Sequence, residues 1–385
     1  MSIAWIRSNL GERQKNKECF DKLSMNGSFS TNSNLAPFVL SPSKDSERFS
    51  ATAYCFVIES CDVYRMGCQR KKARRKAMLG LGLAVSHAPS MFRELKHWAP
   101  IHRVLTNGVP QPPEIESETP QVLQGYIDRI QRSFDVLKEQ IEAYRPDVLL
   151  VVGDDQVEVF TEANMPTFCL FTCAEVHGSI NISLIDERED ENHITLRCDS
   201  DLALHLLNEL NRKGFDVSES KELKPLGKPK RGIGHAFTRP VVKVTPQLNV
   251  PIIPFHVNAY FSPMPSARKC YELGRCIADA VRDRPEKVAI MASGGLSHDP
   301  RGPRAGWIDA PLDRWVLEQL RSGNGEALCH LFEFDSDTLR SGTGEIRSWI
   351  VVAGACAEAK ATIVDYIPAH HAVTGLGFAY FNLAT

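Results

Sequence analysis

From residue 78 onward, the chain alternates between short apolar runs and longer segments whose apolar residues recur at helical spacing. Continuous apolar runs are typical of strands that are covered on both faces. The sequence predicts strands at 79–86, 148–152, 167–172, 180–185, 250–257, 288–293 and 363–367, and helices at 122–143, 201–213, 266–283 and 311–323. This alternation predicts one large α/β domain over residues 78–385, with a central mixed, largely parallel sheet flanked by helices.

The first 77 residues differ in pattern and in charge. They show little periodicity, are rich in Asn, Ser, Thr and Gly between residues 22 and 50, and carry a net charge of +7 against −9 for the remainder. Such a composition buries too little apolar surface to offset the entropy lost on ordering, so we expect a low-complexity, mostly disordered leader over residues 1–77.

A basic run at residues 70–76 closes this leader, with six Lys or Arg in seven positions. Runs of this kind attract nucleic acid or anionic membranes in some proteins. We favour a solvated tail or a start codon assigned too early, because the strand pattern begins directly afterwards. A transit peptide fits poorly with the seven acidic residues of the leader. We therefore expect no nucleic-acid partner.

Composition places the chain among ordinary globular proteins, with 43% hydrophobic and 24% charged residues. No apolar run approaches the ~18–20 residues that span a bilayer, so no membrane association is expected. The 11 cysteines are scattered without a CxxC pair. In a chain of this length that pattern favours reduced thiols and a cytoplasmic location over a disulfide framework.

Reactive side chains follow several of the predicted strands. They stand in five segments, with His87 at 86–90, Asp154, Asp155 and Gln156 at 153–160, His235 at 232–235, His298 at 293–306 and Glu345 at 342–345. In open α/β sheets, ligands bind outside the carboxyl ends of strands. Imidazole and carboxylate groups are the ligands of mononuclear iron sites, and a further free histidine suits acid/base chemistry near neutral pH. The residues therefore indicate a metal-assisted enzyme.

The residues and the order of these motifs resemble those of a known protein family. The motifs are Ser-His-Ala-Pro at 86–89, Gly-Gly-Leu-Ser-His at 294–298, Gly-Pro-Arg-Ala-Gly at 302–306, Tyr-Ile-Pro-Ala at 366–369 and Gly-Leu-Gly at 375–377. Over residues 78–385 the chain resembles the class III (type II) extradiol ring-cleavage dioxygenases, in particular the catalytic β subunits of protocatechuate 4,5-dioxygenases. The resemblance implies cytoplasmic enzymes of aromatic compound catabolism that cleave a catechol-type substrate with O2.

The resemblance also implies roles for individual residues. In that family two histidines and one glutamate hold non-haem Fe(II), and His87 and Glu345 match the first histidine and the glutamate. His298 matches the second-sphere acid/base histidine, and His235 matches a histidine that contacts substrate. The same motifs supply two candidate substrate-binding residues, Ser297 and Arg304. The implied product is a hydroxymuconic semialdehyde-type acid, and the implied partners are a separate small α subunit or further copies of the chain.

The second ligand histidine is where the sequence departs from the family, because Gln156 stands at that position. Either Gln156 or one of its neighbours Asp154 and Asp155 completes the metal site, or no redox iron site forms. Two rival functions follow. One is a metal-independent or non-oxygenative enzyme of hydrolase or tautomerase type, and the other is a non-catalytic interaction module. A module has no need of four reactive groups at strand ends, which argues against the latter.

One further feature bears on the substrate. Three basic residues, Lys228, Lys230 and Arg231, precede His235. Cationic side chains form strong hydrogen bonds with carboxylates. The sequence therefore favours a catechol that carries a carboxylate substituent.

Overall fold

A computed structural model of the chain describes residues 79–383, apart from residues 186 and 358. The expected leader over residues 1–77 lies outside the described residues. In chain order the strands are β1 (Leu79–Val85), β2 (Val148–Gly153), β3 (Phe168–Phe171), β4 (Glu175–Ser179), β5 (His193–Arg197), β6 (Ser218–Ser220), β7 (Ile252–Val257), β8 (Val288–Ser293), β9 (Ala361–Ala369) and β10 (Thr374–Asn382).

Seven α-helices connect these strands within the described part of the chain. They are α1 (Trp98–Thr106), α2 (Pro120–Tyr144), α3 (Ser200–Arg212), α4 (His235–Val244), α5 (Ala267–Val281), α6 (Ala310–Ser322) and α7 (Ile346–Ala355). None of the helices described has both the length and the apolar composition needed to cross a lipid bilayer.

Eight strands form one mixed sheet in the order β6-β3-β7-β2-β8-β1-β10-β9, and β4 pairs with β5 in a separate antiparallel hairpin. The strands β7, β2, β8 and β1 run parallel to one another, and β6 runs parallel to β3. The remaining pairings, β3 with β7, β1 with β10 and β10 with β9, are antiparallel. The predicted fold class, a mixed and largely parallel sheet flanked by helices, is confirmed.

Helices cover both faces of this sheet, which explains why its central strands are apolar throughout. Along β2, Leu149 and Val151 pack with residues of α2 and α4, whereas Val148, Leu150 and Val152 pack with residues of α3, α5 and α7. Successive residues of a strand point to opposite faces, so each strand contributes to two apolar layers. Because every residue of β1, β2 and β8 is buried, these three strands form a rigid platform for the segments at their carboxyl ends.

One predicted strand is wrong. Residues 180–185 form no strand, and only a short 3-10 turn at Ser183–Ile185 is present, while the strand of this region is β4. The Asn181 amide donates to the Arg188 carbonyl at 2.7 Å, which stabilises a loop rather than an extended ladder. Ile182 instead packs in a small apolar cluster with Ile101 of α1.

Candidate metal centre and active site

Three neighbouring parallel strands, β2, β8 and β1, end at the same edge of the sheet. His87 follows β1, Asp154 follows β2, and the segment Gly294 to His298 follows β8. Parallel strands bring their carboxyl ends together, so residues far apart in sequence meet at this edge. The structure thus brings the segments after β1, β2 and β8 together at one edge of the sheet.

A histidine and two carboxylates form a buried cluster there. His87, Asp154 and Glu345 each offer a ligand atom, and these atoms all lie within 4.8 Å of one another. His87 Nε2 is 3.3 Å from Glu345 Oε2 and 3.8 Å from Asp154 Oδ1. All three residues are at most 3% exposed, so solvent does not compensate their charges.

Hydrogen bonds fix the tautomer of His87. The Ser293 hydroxyl donates to the Ala236 carbonyl at 2.7 Å, so its oxygen accepts from His87 Nδ1 at 3.0 Å. In this tautomer Nε2 of His87 is the acceptor nitrogen, and it has no hydrogen-bond partner among the described residues. An imidazole held in this way presents its free nitrogen as a metal ligand.

The two carboxylates of the cluster differ in their surroundings. Neither oxygen of Asp154 has a hydrogen-bond partner among the described residues. Burial, together with the charge of Glu345, raises the pKa of Asp154 well above its ordinary value. Glu345 directly precedes α7 as its N-cap residue, accepts from the Gly295 amide at 2.6 Å and accepts from the Tyr260 hydroxyl. Buried acceptors without donors are costly, and a bound cation removes that cost. The donor set therefore fits a divalent metal ion.

Gln156 and Asp155, the other two candidates for the third ligand, already have hydrogen-bond partners within the protein. The Gln156 amide is half-buried and donates to Glu345 Oε1 at 3.0 Å and to the Tyr260 hydroxyl at 3.1 Å. Asp155 accepts from the backbone amides of three residues, Glu158, Val159 and Phe160. Asp155 thus stabilises the loop after β2, in which Val157 adopts a positive φ of 59° that β-branched residues rarely take.

His298 lies beside the cluster without joining it. Its Nδ1 is 2.8 Å from the Leu296 carbonyl and its Nε2 is 3.3 Å from Glu345 Oε1. Burial lowers the pKa of His298, but the charge of Glu345 and these hydrogen bonds outweigh burial and raise the pKa above its ordinary value. Gly342 lies against the ring so closely that a Cβ at that position would overlap the imidazole.

His235 begins α4 and faces His87 in an edge-to-face contact, with ring centroids 4.7 Å apart. Its Nδ1 lies 2.8 Å from Glu158 Oε1, and Glu158 also accepts from the His235 amide. Burial lowers the pKa of His235 to about 3, so the ring is neutral near pH 7. Arg231, at 2.7 Å, balances the charge of Glu158. The neutral ring therefore donates from Nδ1 and keeps Nε2 as an acceptor.

One cavity of about 280 Å³ adjoins most of these groups, although Asp154 and Asp155 do not belong to its wall. Its wall includes His87, Gln156, His235, Tyr260, His298, Arg301 and Glu345. Two predicted substrate-binding residues lie elsewhere: Ser297 donates its hydroxyl to Asp313 at 2.9 Å, and the Arg304 amide donates to Asp299 at 2.9 Å. Among the described residues, neither Ser297 nor Arg304 belongs to the wall of this cavity.

Several residues of the site were not predicted from the sequence. Glu158 and Tyr260 line the cavity and contact His235 and Glu345 respectively, and Arg239 also belongs to its wall. Only Glu158 carried a sequence signal, because it stands in the same loop after β2 as Asp154 and Gln156. Tyr260 and Arg239 were not distinguishable from ordinary core and surface residues without the fold.

The site and fold together define an α/β protein with a buried histidine and carboxylate cluster at a sheet edge. A family model described as the catalytic LigB subunit of aromatic ring-opening dioxygenase matches residues 109–380. The chain belongs to this family. That membership confirms the resemblance to extradiol ring-cleavage dioxygenases given by the motifs.

Individual relatives match at modest identity. A 2,3-dihydroxyphenylpropionate/2,3-dihydroxicinnamic acid 1,2-dioxygenase of Photorhabdus laumondii is 28% identical over 189 residues, which cover 49% of this chain and 54% of the relative. A gallate dioxygenase of Pseudomonas putida is 31% identical over 159 residues, covering 40% and 44%. The chain spans about half the length of the curated relatives it matches.

Among solved structures, an uncharacterized protein of Escherichia coli K12 aligns with a TM-score of 0.43 and 15% identity. The alignment covers 78% of this chain and 99% of that chain.

Proposed function

We propose that this chain is an extradiol dioxygenase that opens the ring of a catechol-type substrate with O2, using Fe(II) held by His87, Asp154 and Glu345. The observation that carries the proposal is the buried cluster of these three side chains, with free ligand atoms on His87 and Asp154. Membership of the family of aromatic ring-opening dioxygenases supports it. The product is a ring-opened acid of the hydroxymuconic semialdehyde type.

In this proposal Asp154 takes the ligand role that a second histidine has in the family, although Gln156 stands at the sequence position of that histidine. Its carboxylate is free, whereas the Gln156 amide donates to Glu345 and Tyr260 and the Asp155 carboxylate is occupied by backbone amides. Ferrous iron in this site supplies the electron transfer between catechol and O2. Two carboxylates and one imidazole form a harder ligand set than two imidazoles and one carboxylate, so Mn(II) competes more effectively for it.

His298 acts as the acid/base residue in this proposal. Its Nε2 faces the cavity beside Glu345, within reach of a substrate hydroxyl. His298 accepts the proton of that hydroxyl and later returns it as the ring-opened product forms. Its Nδ1 donates to the Leu296 carbonyl, which keeps the ring in one orientation.

His235 positions substrate from the opposite side of His87. Because Glu158 fixes its Nδ1 as a donor, Nε2 of His235 accepts a hydrogen bond from a second substrate hydroxyl. Tyr260 and Gln156 orient the Glu345 carboxylate by donating to its Oε1.

The experiment that tests the proposal is anaerobic loading of the full chain with Fe(II) or Mn(II), followed by oxygen uptake on a panel of catechols. Asp154→Asn should weaken Fe(II) binding about tenfold or more, because the site loses a charged ligand. His298→Ala should keep its iron and lose about 10² to 10⁴ in kcat. Asp128→Asn, an exposed position on α2, is the matched control and should bind iron like the wild type.

Gln156→His separates the two possible donor sets. If Asp154 holds the metal, this variant changes Fe(II) affinity little. A tightening of about tenfold or more would show instead that residue 156 is the ligand position. The dioxygenase proposal would be overturned if no variant bound iron and the protein instead showed hydrolytic or tautomerising activity without ring opening.

A further inference from the structure

The cavity that adjoins the proposed metal centre has an excess of positive charge on one side. Four cationic residues belong to its wall, namely Lys228, Arg231, Arg239 and Arg301. Arg301 is exposed, and Lys228 is half-buried. The two remaining arginines are buried, and they differ in whether a carboxylate of the protein compensates their charge.

Arg231 has protein partners on each side of its guanidinium. Its Nε lies 2.7 Å from Glu158 Oε1, its Nη1 lies 3.3 Å from Glu189 Oε1, and its Nη2 donates to the Asn181 carbonyl at 3.0 Å. Glu158 is further shared with His235. Arg231 therefore serves the protein's own network and is not available to a ligand.

Arg239 lacks such compensation. It is 5% exposed, its Nε has no hydrogen-bond partner among the described residues, and its Nη2 donates a long bond to the Asn181 carbonyl at 3.4 Å. No carboxylate among the described residues forms an ion pair with it. The nearby Glu187 is already paired with Arg93. Burial and the neighbouring charge of Arg231 lower the pKa of Arg239 to about 9.

The position of Arg239 directs this uncompensated charge at the substrate. Arg239 stands four residues after His235 on α4, so the two side chains lie on the same face of the helix. Both belong to the wall of the same cavity as His298 and Glu345. A buried cation without a counter-ion is costly, and an anion that enters the cavity removes that cost.

We propose that Arg239 is the specificity-determining residue for a carboxylate on the substrate, so that the substrate is a catechol with an anionic substituent. The proposal rests on the proposed dioxygenase function for the catechol part alone. A guanidinium presents parallel N–H donors that match the two oxygens of a carboxylate. The sequence pointed to Lys228, Lys230 and Arg231 for this task, but Lys230 is exposed beside Asp190 and Arg231 is paired inside the protein.

The test measures binding of simple aromatic acids against their neutral amides, which requires neither iron nor oxygen. Benzoate with benzamide, and 3-phenylpropionate with 3-phenylpropionamide, are titrated calorimetrically into the full chain. Wild type should bind one or both acids about tenfold or more tightly than the matching amide, as expected for a charge-assisted hydrogen bond. Arg239→Met should abolish that ratio, Arg239→Lys should retain part of it, and the exposed Arg103→Met should leave it unchanged.

Equal affinity of wild type for acids and amides overturns the proposal, and so does a preference that survives in Arg239→Met. If the methionine variant does not fold, judged by circular dichroism, Arg239→Gln keeps a polar side chain without the positive charge and must lose the preference. A carboxylate preference in a protein that never consumes oxygen would reject the dioxygenase function while leaving the role of Arg239 intact.

Discussion

Gly342 shows how a single missing side chain determines the position of a reactive group. Because a Cβ at residue 342 would overlap the His298 imidazole, Gly342→Ala should displace that ring from the cavity. We expect kcat to fall about tenfold or more and stability to fall by about 1–3 kcal/mol from overpacking. Oxygen-uptake kinetics and urea unfolding measure the two effects.

Gly125→Ala is the matched control for that change, since nothing lies within 4 Å of a Cβ at residue 125 of α2. It should raise stability by about 0.5–1 kcal/mol, as alanine does in a helix interior, and leave kcat unaltered. Unchanged kcat in Gly342→Ala would contradict the importance of the His298 position.

His256, at the end of β7, should make the protein sensitive to acid. The residue is fully buried, its Nε2 is 3.1 Å from the Pro166 carbonyl, and its Nδ1 has no partner among the described residues. Burial lowers its pKa to about 4. The unfolded chain, with an ordinary pKa of about 6.5, binds a proton before the folded chain does, so stability falls as pH drops through this interval.

His256→Phe removes this titration, and the new ring remains beside Phe160. The loss of unfolding free energy between about pH 7 and pH 4 should be smaller in the variant by about 3 kcal/mol. Urea unfolding at both pH values measures the difference. Parallel pH dependence of variant and wild type would show that His256 does not bear the proton.

At this scale the sequence predicted residue types better than contacts. His87 and His298 follow strands that the apolar pattern predicted, and together with His235 and Glu345 they line one cavity. The distinction between Asp154, Asp155 and Gln156 was not predictable, since it depends on which side chain the backbone amides of the loop occupy. Ser297 and Arg304, the two expected substrate contacts, do not belong to the cavity wall among the described residues.

Among elements, the crossing of α5 and α7 determines where Glu345 lies. A Cβ at Gly274 would overlap the Val351 carbonyl, and a Cβ at Gly354 would overlap the Tyr271 carbonyl. Two glycines thus allow the helices to approach at backbone contact. Gly274→Ala should cost about 1–3 kcal/mol or more of unfolding free energy and weaken metal binding, because Glu345 is the N-cap residue of α7.

Calorimetric unfolding and Fe(II) titration of Gly274→Ala measure these two effects, with Gly125→Ala again as the neutral substitution. A variant that loses stability but binds iron like the wild type would separate helix packing from the position of Glu345.

The predicted elements with long apolar patterns were confirmed, whereas short or irregular ones were not predicted. Helix α4 has ten residues and contains Pro240, which sequence rules treat as a helix breaker. The hairpin of β4 and β5 is partly exposed, and each of its strands has only five residues, although β5 alternates polar and apolar positions. The glycines of β10 likewise made this nine-residue strand difficult to recognise in the sequence.

For the whole molecule, the charge split between residues 1–77 and the remainder predicts that the leader is dispensable. A protein that lacks residues 1–77 should keep its melting temperature and any oxygen uptake within experimental error, because that composition favours solvation over packing. Differential scanning calorimetry and oxygen uptake on the truncated chain test this. Aggregation of the truncated protein would contradict it.

The central position of β1 has a consequence for biosynthesis. Leu83 of β1 pairs with Met291 of β8 on one side and with Tyr380 of β10 on the other. At a translation rate of about 5–20 residues per second, β1 leaves the ribosome about 15–60 s before its second neighbour exists. The cluster of His87, Asp154 and Glu345 likewise cannot form until Glu345 has been synthesised, which is after most of the domain. If Fe(II) binds there as proposed, it can do so only after Glu345 has been synthesised, which is before β9 and β10 complete the sheet.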